Sequence, residues 1–305
     1  MGIRNFLKNN LPDVVLEPLK QVYSDMHYAV MHVVPEKWYL KRQFLKKVGY
    51  PLDLDNPRTF NEKLQWLKLY DRNPLYTKMV DKYEAKKYVA DIIGEEYIIP
   101  TLGVWDHFDE IDFEQLPEQF VLKCTHDSGS IAICKDKATF DKKTAKKKLE
   151  RGLRYNYYYS GGFEWPYKNV KPRIIAETYM IDESHQDLTD FKLMCFNGKV
   201  KCSFTCTSRN TGKGLHVTFY DREWQKMSFA RHYPNEKIAM PKPVNYEKMV
   251  ELAEKLSAPL KFSRIDFYEI NGKIYFGEIT FFPGNGMEEF TPEEWDYKLG
   301  GLMRL

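Results

Sequence analysis

Two acids near the end of the chain, Asp266 and Glu278, stand in the segment RIDFYEINGKIYFGEIT on either side of an Asn271-Gly272 pair. Asn-Gly between two runs rich in apolar residues predicts a two-residue hairpin, because both central positions can take positive φ. In a hairpin centred there, positions whose numbers sum to about 543 face one another, which sets Asp266 nearly opposite Glu278. Ile265 and Phe267 flank the first acid, Gly277 and Ile279 the second, so period-two alternation turns both carboxylates away from the core. Two like charges so placed repel, and a resting sheet gains nothing from them. A divalent cation reverses that sign, and carboxylate oxygens that leave room for water and phosphate suit Mg²⁺. The competing reading is a solvated strand face. Arg264 weighs against it, since it lies two residues before Asp266 on the same strand face and puts a cation where transferring charge develops. The turn Pro283-Gly284-Asn285-Gly286 follows directly, and glycines there let backbone approach a ligand closely.

The composition sets few limits. With 305 residues the chain can bury a large core, and 43% hydrophobic and 29% charged residues describe an ordinary globular protein. A net charge of +3 is too small to argue for nucleic acid, the basic run at 141–154 reads as one solvated face of a helix, and with no nucleic-acid motif beside it no such partner is expected. The five cysteines, Cys124, Cys134, Cys195, Cys202 and Cys206, match no zinc spacing, so they read as reduced and structural, which points to the cytoplasm. No signal peptide and no membrane-spanning run is expected. The basic, aromatic N-terminal segment suits a peripheral contact at the inner membrane face.

Helices come first and strands later. A helical N-terminal region over 1–55 ends beyond the Gly49-Tyr50-Pro51 break. A helical, linking part over 56–119 holds a helix opening near Thr59 or Asn61 and a second, LYTKMVDKYEAKKYVADIIG, capped by Gly94. Strand, glycine-containing turn and strand follow in FVLKCTHDSGSIAICKD, then the helix at 141–154 and the strand RIIAETYM. Hairpins at Asn197-Gly198 and Asn271-Gly272, with a helix inside Pro241–Leu260, fill 181–305. The class is α+β.

In order and spacing, Arg-x-Asp, a strand turn, Glu-x-Thr and Pro-Gly resemble the metal-binding hairpin of ATP-grasp enzymes. The blocks TFNEKLQWLKLYDRNPLYTKMVDKYEAKKYV, EQFVLKCTHDSGS, PRIIAETYM, DFKLMCFNGKV and FGEITFFPGNGMEEFTPEEWDYKLG resemble the TupA-like ATP-grasp family, associated with bacterial teichuronopeptide and capsular polysaccharide assembly. The resemblance runs from about Asn56 to the C-terminus. It implies an ATP-grasp fold of two α/β lobes clasping ATP, with 120–180 as the lid subdomain and 181–305 as the metal-binding subdomain. It further implies ATP and Mg²⁺ as cofactors, with Asp266 and Glu278 as metal ligands. Thr280 stands where many relatives have a third ligand, Asn. Lys123 and Lys82 look like the nucleotide lysines, although a lysine ending an apolar strand is otherwise an ordinary snorkelling residue. Ser128, Gly129 and Ser130 resemble the phosphate lid, where free backbone N–H groups suit anions, and Asp127 beside them is expected to turn to solvent. Glu177 resembles the hinge acid that holds adenosine, Lys192 a basic residue beneath the phosphates, and Arg209 a phosphate or acyl-phosphate contact.

What the resemblance implies chemically is amide formation between a carboxylate and an amine through an acyl-phosphate, with Arg264 stabilising the tetrahedral oxyanion. The implied amine donor is an amino acid or glutamyl chain, and the acceptor a uronic-acid-containing glycan or its precursor. Two other classes compete: a glycosyltransferase of the same pathway holding a sugar nucleotide on the acid pair, and a carbohydrate-binding module using its six tryptophans. Against the first, Lys123, Glu177 and Lys192 suit ATP better than a sugar nucleotide, and the second leaves the acid–arginine hairpin idle.

Overall fold

The computed structural model describes residues 13–182, 189–207 and 214–305. Helices α1 (Asp13–Met31) and α2 (Glu36–Val48) precede α3 (Phe60–Tyr70), α4 (Leu75–Val80) and α5 (Glu84–Ile93). Strands β1 (Thr101–Trp105), β2 (Phe120–Cys124) and β3 (Ile131–Cys134) lead to α6 (Lys142–Arg154) and the single turn α7 (Tyr157–Ser160). Then come β4 (Ile174–Thr178), β5 (Asp190–Phe196), β6 (Lys199–Thr207), β7 (His216–Asp221) and the short β8 (Ala230–Arg231). Helix α8 (Tyr246–Ser257), β9 (Phe262–Ile270), β10 (Lys273–Thr280), β11 (Phe290–Thr291) and α9 (Glu294–Leu302) complete the order.

Two antiparallel sheets face one another across a cleft. The smaller has the order β1-β4-β2-β3, the larger β10-β9-β5-β6-β7, and β11 pairs with β8 in a two-stranded ribbon. Strand β1, which belongs to the segment read from sequence as linking, is hydrogen-bonded into the smaller sheet, pairing Trp105 with Ile174. Helices α3 to α5 contribute Phe60, Leu64, Met79, Val89 and Ile93 to the core of the larger sheet, which α8 covers with Met249, Leu252 and Leu256. The smaller sheet has its own core, where Leu149 and Ala145 of α6 pack on Phe120, Leu122 and Ile174.

The second predicted helix is two. Asp81 ends α4, and its Oδ1 accepts from the Tyr83 N–H at 2.9 Å while its Oδ2 accepts from Arg173 at 2.8 Å. The Lys82 N–H donates to Thr125 O of the smaller sheet at 3.0 Å. A side chain that captures the backbone donors of the next turn competes with helix continuation, and the kink so formed turns Lys82 into the cleft.

Helix α3 starts as expected at Thr59, with a complete capping box. Thr59 Oγ1 accepts from Glu62 N at 3.1 Å, and Glu62 Oε2 accepts from Thr59 N at 3.0 Å and Arg58 N at 2.9 Å. Tyr50 adds a hydroxyl donor to Thr59 Oγ1 at 3.0 Å. The far end of the chain locks onto this start: Asp296 of α9 accepts from the backbone and side-chain N–H groups of Asn61 at 2.9 and 2.8 Å. Thr59→Ala is expected to lower unfolding stability by about 1–2 kcal/mol, read from urea melts at constant m-value.

Candidate active site

A cleft of about 830 Å³ lies between the two sheets, lined by Lys82, Lys123, residues 127–131, Glu177, Lys192, Arg264, Asp266, Glu278 and the turn at 283–285. Ten of the eleven residues singled out from sequence as site residues therefore meet at one place: Ser128, Gly129 and Ser130 with Lys82, Lys123, Glu177, Lys192, Arg264, Asp266 and Glu278. Arg264 and Glu278 stand on the two strands of one hairpin. The eleventh, Arg209, lies outside the described residues.

The hairpin brings Asp266 directly opposite Glu278 by way of a bulge. Lys273 through Phe276 pair with Ile270 through Phe267, but the next pair is Glu278 with Asp266, leaving Gly277 as the extra residue. One inserted residue slips the register by one, and this slip turns the near opposition expected from the turn into a direct one. On its other side Asp266 is the register partner of Lys192 in β5. Cross-strand partners share a face, so Lys192, Asp266 and Glu278 form one row on the cleft face of the larger sheet.

The charges in this row are already compensated. Arg264 donates from Nε and Nη2 to the two oxygens of Asp266 at 2.6 and 2.7 Å and from Nη2 to Glu278 Oε1 at 2.6 Å. Lys192 bonds Asp266 Oδ2, and Asp190 Oδ2 lies 2.6 Å from the same ammonium. The repulsion inferred from sequence is thus relieved within the resting chain. Although burial opposes its ionisation, the Arg264 and Lys192 charges hold the Asp266 carboxyl below the ordinary aspartate value. Burial likewise works against the charge of Lys192, and Asp266 reverses it, leaving the ammonium above its ordinary value.

Asp266 is 2% exposed, whereas the Glu278 side chain is 45% exposed. Thr280 donates its hydroxyl to Glu278 Oε1 at 3.0 Å, so this oxygen carries two partners, Arg264 and Thr280. Among the described residues no group of three or more His, Cys, Asp or Glu side chains forms a metal cage. Two carboxylates side by side fit a hard cation that takes its other ligands from water and phosphate, as Mg²⁺ does, rather than a dedicated metal centre.

The opposite wall comes from the smaller sheet. Lys123 of β2 bonds Glu177 Oε2 of β4 at 2.5 Å, and Lys86 holds Glu177 Oε1 at 2.7 Å and Ile99 O at 2.5 Å. Burial works against the Glu177 charge, but Lys123 and Lys86 outweigh it and keep the carboxyl below the ordinary glutamate value. Lys86 carries no role in the sequence reading, although it stands four positions after Lys82. Lys82 Nζ donates to Cys124 O at 3.1 Å and to Asp127 O, and burial lowers its pKa. Gly129, at φ +102°, turns the chain between β2 and β3 and leaves Ser128 and Gly129 exposed over the cleft. Asp127 does not turn to solvent as expected: it is buried, and Oδ2 accepts from the Ser130 hydroxyl. This moves its charge away from the exposed loop tip.

At the far end the Pro283–Gly286 turn is held from beneath by α3. Gln65 Nε2 donates to Asn285 O at 3.0 Å and Gly286 O at 2.7 Å, and the buried Lys68 donates to Asn285 O at 2.8 Å. Asn285 Nδ2 in turn donates to Gly161 O at 3.0 Å. Glu164, buried in the cleft wall just beyond, has its pKa raised by burial against the opposing charge of Lys68. No periodicity or motif marked it.

The model of the TupA-like ATP-grasp family matches residues 62–304. Among solved structures, the D-alanine–D-alanine ligase from Bacillus anthracis aligns at 15% identity and a TM-score of 0.37, over 66% of this chain and 56% of that one. That from Helicobacter pylori aligns at 15% identity and a TM-score of 0.39, over 80% and 69%. The ATP-grasp ligase PsnB, complexed with a minimal precursor, aligns at 9% identity and a TM-score of 0.40, over 72% and 59%. The chain thus spans just over half the length of the Bacillus anthracis ligase. A search of curated proteins finds no match.

The two acids of the hairpin differ in what they hold together. Asp266→Asn leaves two buried cations short of a counter-charge and is expected to cost about 3–5 kcal/mol of stability, while Glu278→Gln, at a half-open position, changes stability by less than about 1 kcal/mol in the same denaturant titration. Because the Glu177 pKa is depressed on folding, its contribution is present above the ordinary value of 4.5 and is lost as pH falls below it. Glu177→Gln is therefore expected to flatten the acid limb of stability against pH, and an unchanged limb would count against the lysine–glutamate triad.

Proposed function

The chain belongs to the TupA-like ATP-grasp family, and on that premise we propose that it is an ATP- and Mg²⁺-dependent carboxylate–amine ligase. The observation that carries this reading is the cleft itself: lysines and an exposed glycine turn on one wall face a paired-acid hairpin with its arginine on the other. Lys82, Lys123 and the backbone N–H groups of Ser128, Gly129 and Ser130 would hold the phosphates from above, with Lys192 beneath them. Glu177, between Lys86 and Lys123, would receive the adenosine. Asp266 and Glu278 would hold Mg²⁺, which would supply positive charge against the phosphates.

In this reading the protein supplies position and fixed charge. A substrate carboxylate oxygen bonds to the γ-phosphorus as the bond to ADP breaks. The amine nitrogen then bonds to the acyl carbon, and phosphate leaves with the electron pair of the broken acyl–oxygen bond. Arg264, already fixed by three hydrogen bonds, would stabilise the oxyanion of that second step. We further propose an amino acid or glutamyl chain as the amine donor, and a uronic-acid glycan or its precursor in bacterial capsule or cell-envelope assembly as the acceptor. Among the described residues no helix is long and apolar enough to cross a membrane. The exposed Leu19, Val22, Tyr23, Met26 and Val30 of α1 support a peripheral contact at the inner membrane face.

Release of ADP and phosphate from Mg·ATP in the presence of uronic acids and amino acids is the direct test. Amine-dependent ADP formation is expected, with Lys123→Ala raising the KM for ATP by about tenfold or more and Glu278→Gln reducing kcat by about a hundredfold or more. Turnover of a sugar nucleotide without ATP would replace the ligase with a glycosyltransferase.

A further inference from the structure

The row of Glu278, Asp266 and Lys192 continues across the larger sheet into Phe204 of β6 and Phe219 of β7, each the register partner of the one before. Over these two rings lies Arg231 of β8. Its guanidinium carbon is 4.9 Å from the Phe204 centroid and 5.3 Å from that of Phe219, and Arg264 approaches the same Phe204 ring at 5.9 Å. Arg231 lines the cleft together with Leu215, Val217 and Tyr233, yet it is only 6% exposed. Neither Nε nor Nη1 has a hydrogen-bond acceptor among the described residues. Glu288 Oε2 stands 2.9 Å from Nε, an ion-pair contact that gives neither Nε nor Nη1 a hydrogen bond. A buried guanidinium with idle donors is costly for the fold alone, and nothing in the nucleotide site uses it.

We propose that Arg231 anchors a carboxylate of the organic substrate, held over Phe204 and Phe219. Phe204 stands two strand spacings, about 10 Å, from Asp266, so the anchored group lies apart from the reacting one and fixes its position. The planar fork of a guanidinium matches a carboxylate bidentately. Glu288 offsets part of the local positive charge, which favours a monoanion over a phosphate dianion. Gly284 makes this pair possible: a Cβ there would come within 2.1 Å of the Glu288 carboxyl carbon. The ligand's being a substrate rests on the ligase reading, whereas the carboxylate site stands on its own geometry.

Calorimetric titration of the full chain with D-glucuronate, L-glutamate, D-glucose and inorganic phosphate, with and without Mg²⁺ and a non-hydrolysable ATP analogue, tests it. One of the two carboxylates is expected to bind where glucose and phosphate do not, and which one does so separates a sugar acid from an amino acid as the source. Arg231→Gln should weaken that binding by about tenfold or more, and Glu288→Gln, which removes the competing carboxylate, should tighten it, with affinity for the analogue unchanged in both. A wild-type chain that binds neither carboxylate, or binds glucose or phosphate as well, overturns the proposal, as does retained affinity in Arg231→Gln. If that variant does not fold, as judged by circular dichroism, the direction of the Glu288→Gln change decides. Failure of the wild-type chain to bind the ATP analogue sinks the ligase reading instead, and the titrations without nucleotide still judge Arg231.

Discussion

The cleft depends on one buried contact, the carboxylate of Asp266 between the guanidinium of Arg264 and the ammonium of Lys192. Asp266 sits on the strand between β5 and β10, so it is the only acid of the row that touches both neighbours. Three acids, Asp190, Asp266 and Glu278, share two cations on this floor. In a low-dielectric setting such a cluster holds its geometry only while every member is present. The arginine spans the two hairpin acids and relieves their mutual repulsion without a metal. The floor is therefore preorganised, and the half-exposed Glu278 is its adjustable edge.

The opposing wall is built on a different logic. Glu177 is held between two lysines from separate elements, Lys86 of α5 and Lys123 of β2, while Lys82 is spent on backbone carbonyls. Those contacts place three cations along one side of an open space without burying them against a single partner. The two walls thus differ in charge, lysines on one and an acid–arginine hairpin on the other, in a chain that belongs to the TupA-like ATP-grasp family.

Much of this was legible in the sequence because it rests on local rules. Asn271-Gly272 and Asn197-Gly198 announced their hairpins, period-two alternation turned Arg264, Asp266 and Glu278 to one face, and a helix start was expected near Thr59 or Asn61. What stayed hidden depends on tertiary contacts. The bulge at Gly277 leaves no pattern in a strand of ordinary alternation. The break at Asp81 arises from Arg173 and Thr125, far away in the chain, and propensity alone favours one continuous helix. Arg231 lies in a two-residue strand too short to show periodicity, and its interest lies in the acceptors it lacks. Glu164 carries no signal beyond its charge, and only its burial distinguishes it. Arg209, named from sequence, lies outside the described residues.

The support of the Pro283–Gly286 turn has a consequence for the order in which the protein can be made. Gln65 and Lys68 reach carbonyls 217 to 221 positions further along the chain, and Asn61 reaches Asp296 across 235. A ribosome adding about 5–20 residues per second delivers α3 many seconds before its partners. Through that interval the apolar face of α3, with Phe60 and Leu64, has no sheet to pack on, because β9 and β10 are still unmade. The larger lobe thus cannot close domain by domain from its start, whereas the strands and helix of the smaller sheet, contiguous between 101 and 178, can assemble while the rest is awaited. The lysine-bearing wall precedes the acid–arginine floor in synthesis, and the early helices are the segment most exposed to wrong partners until the last strands arrive.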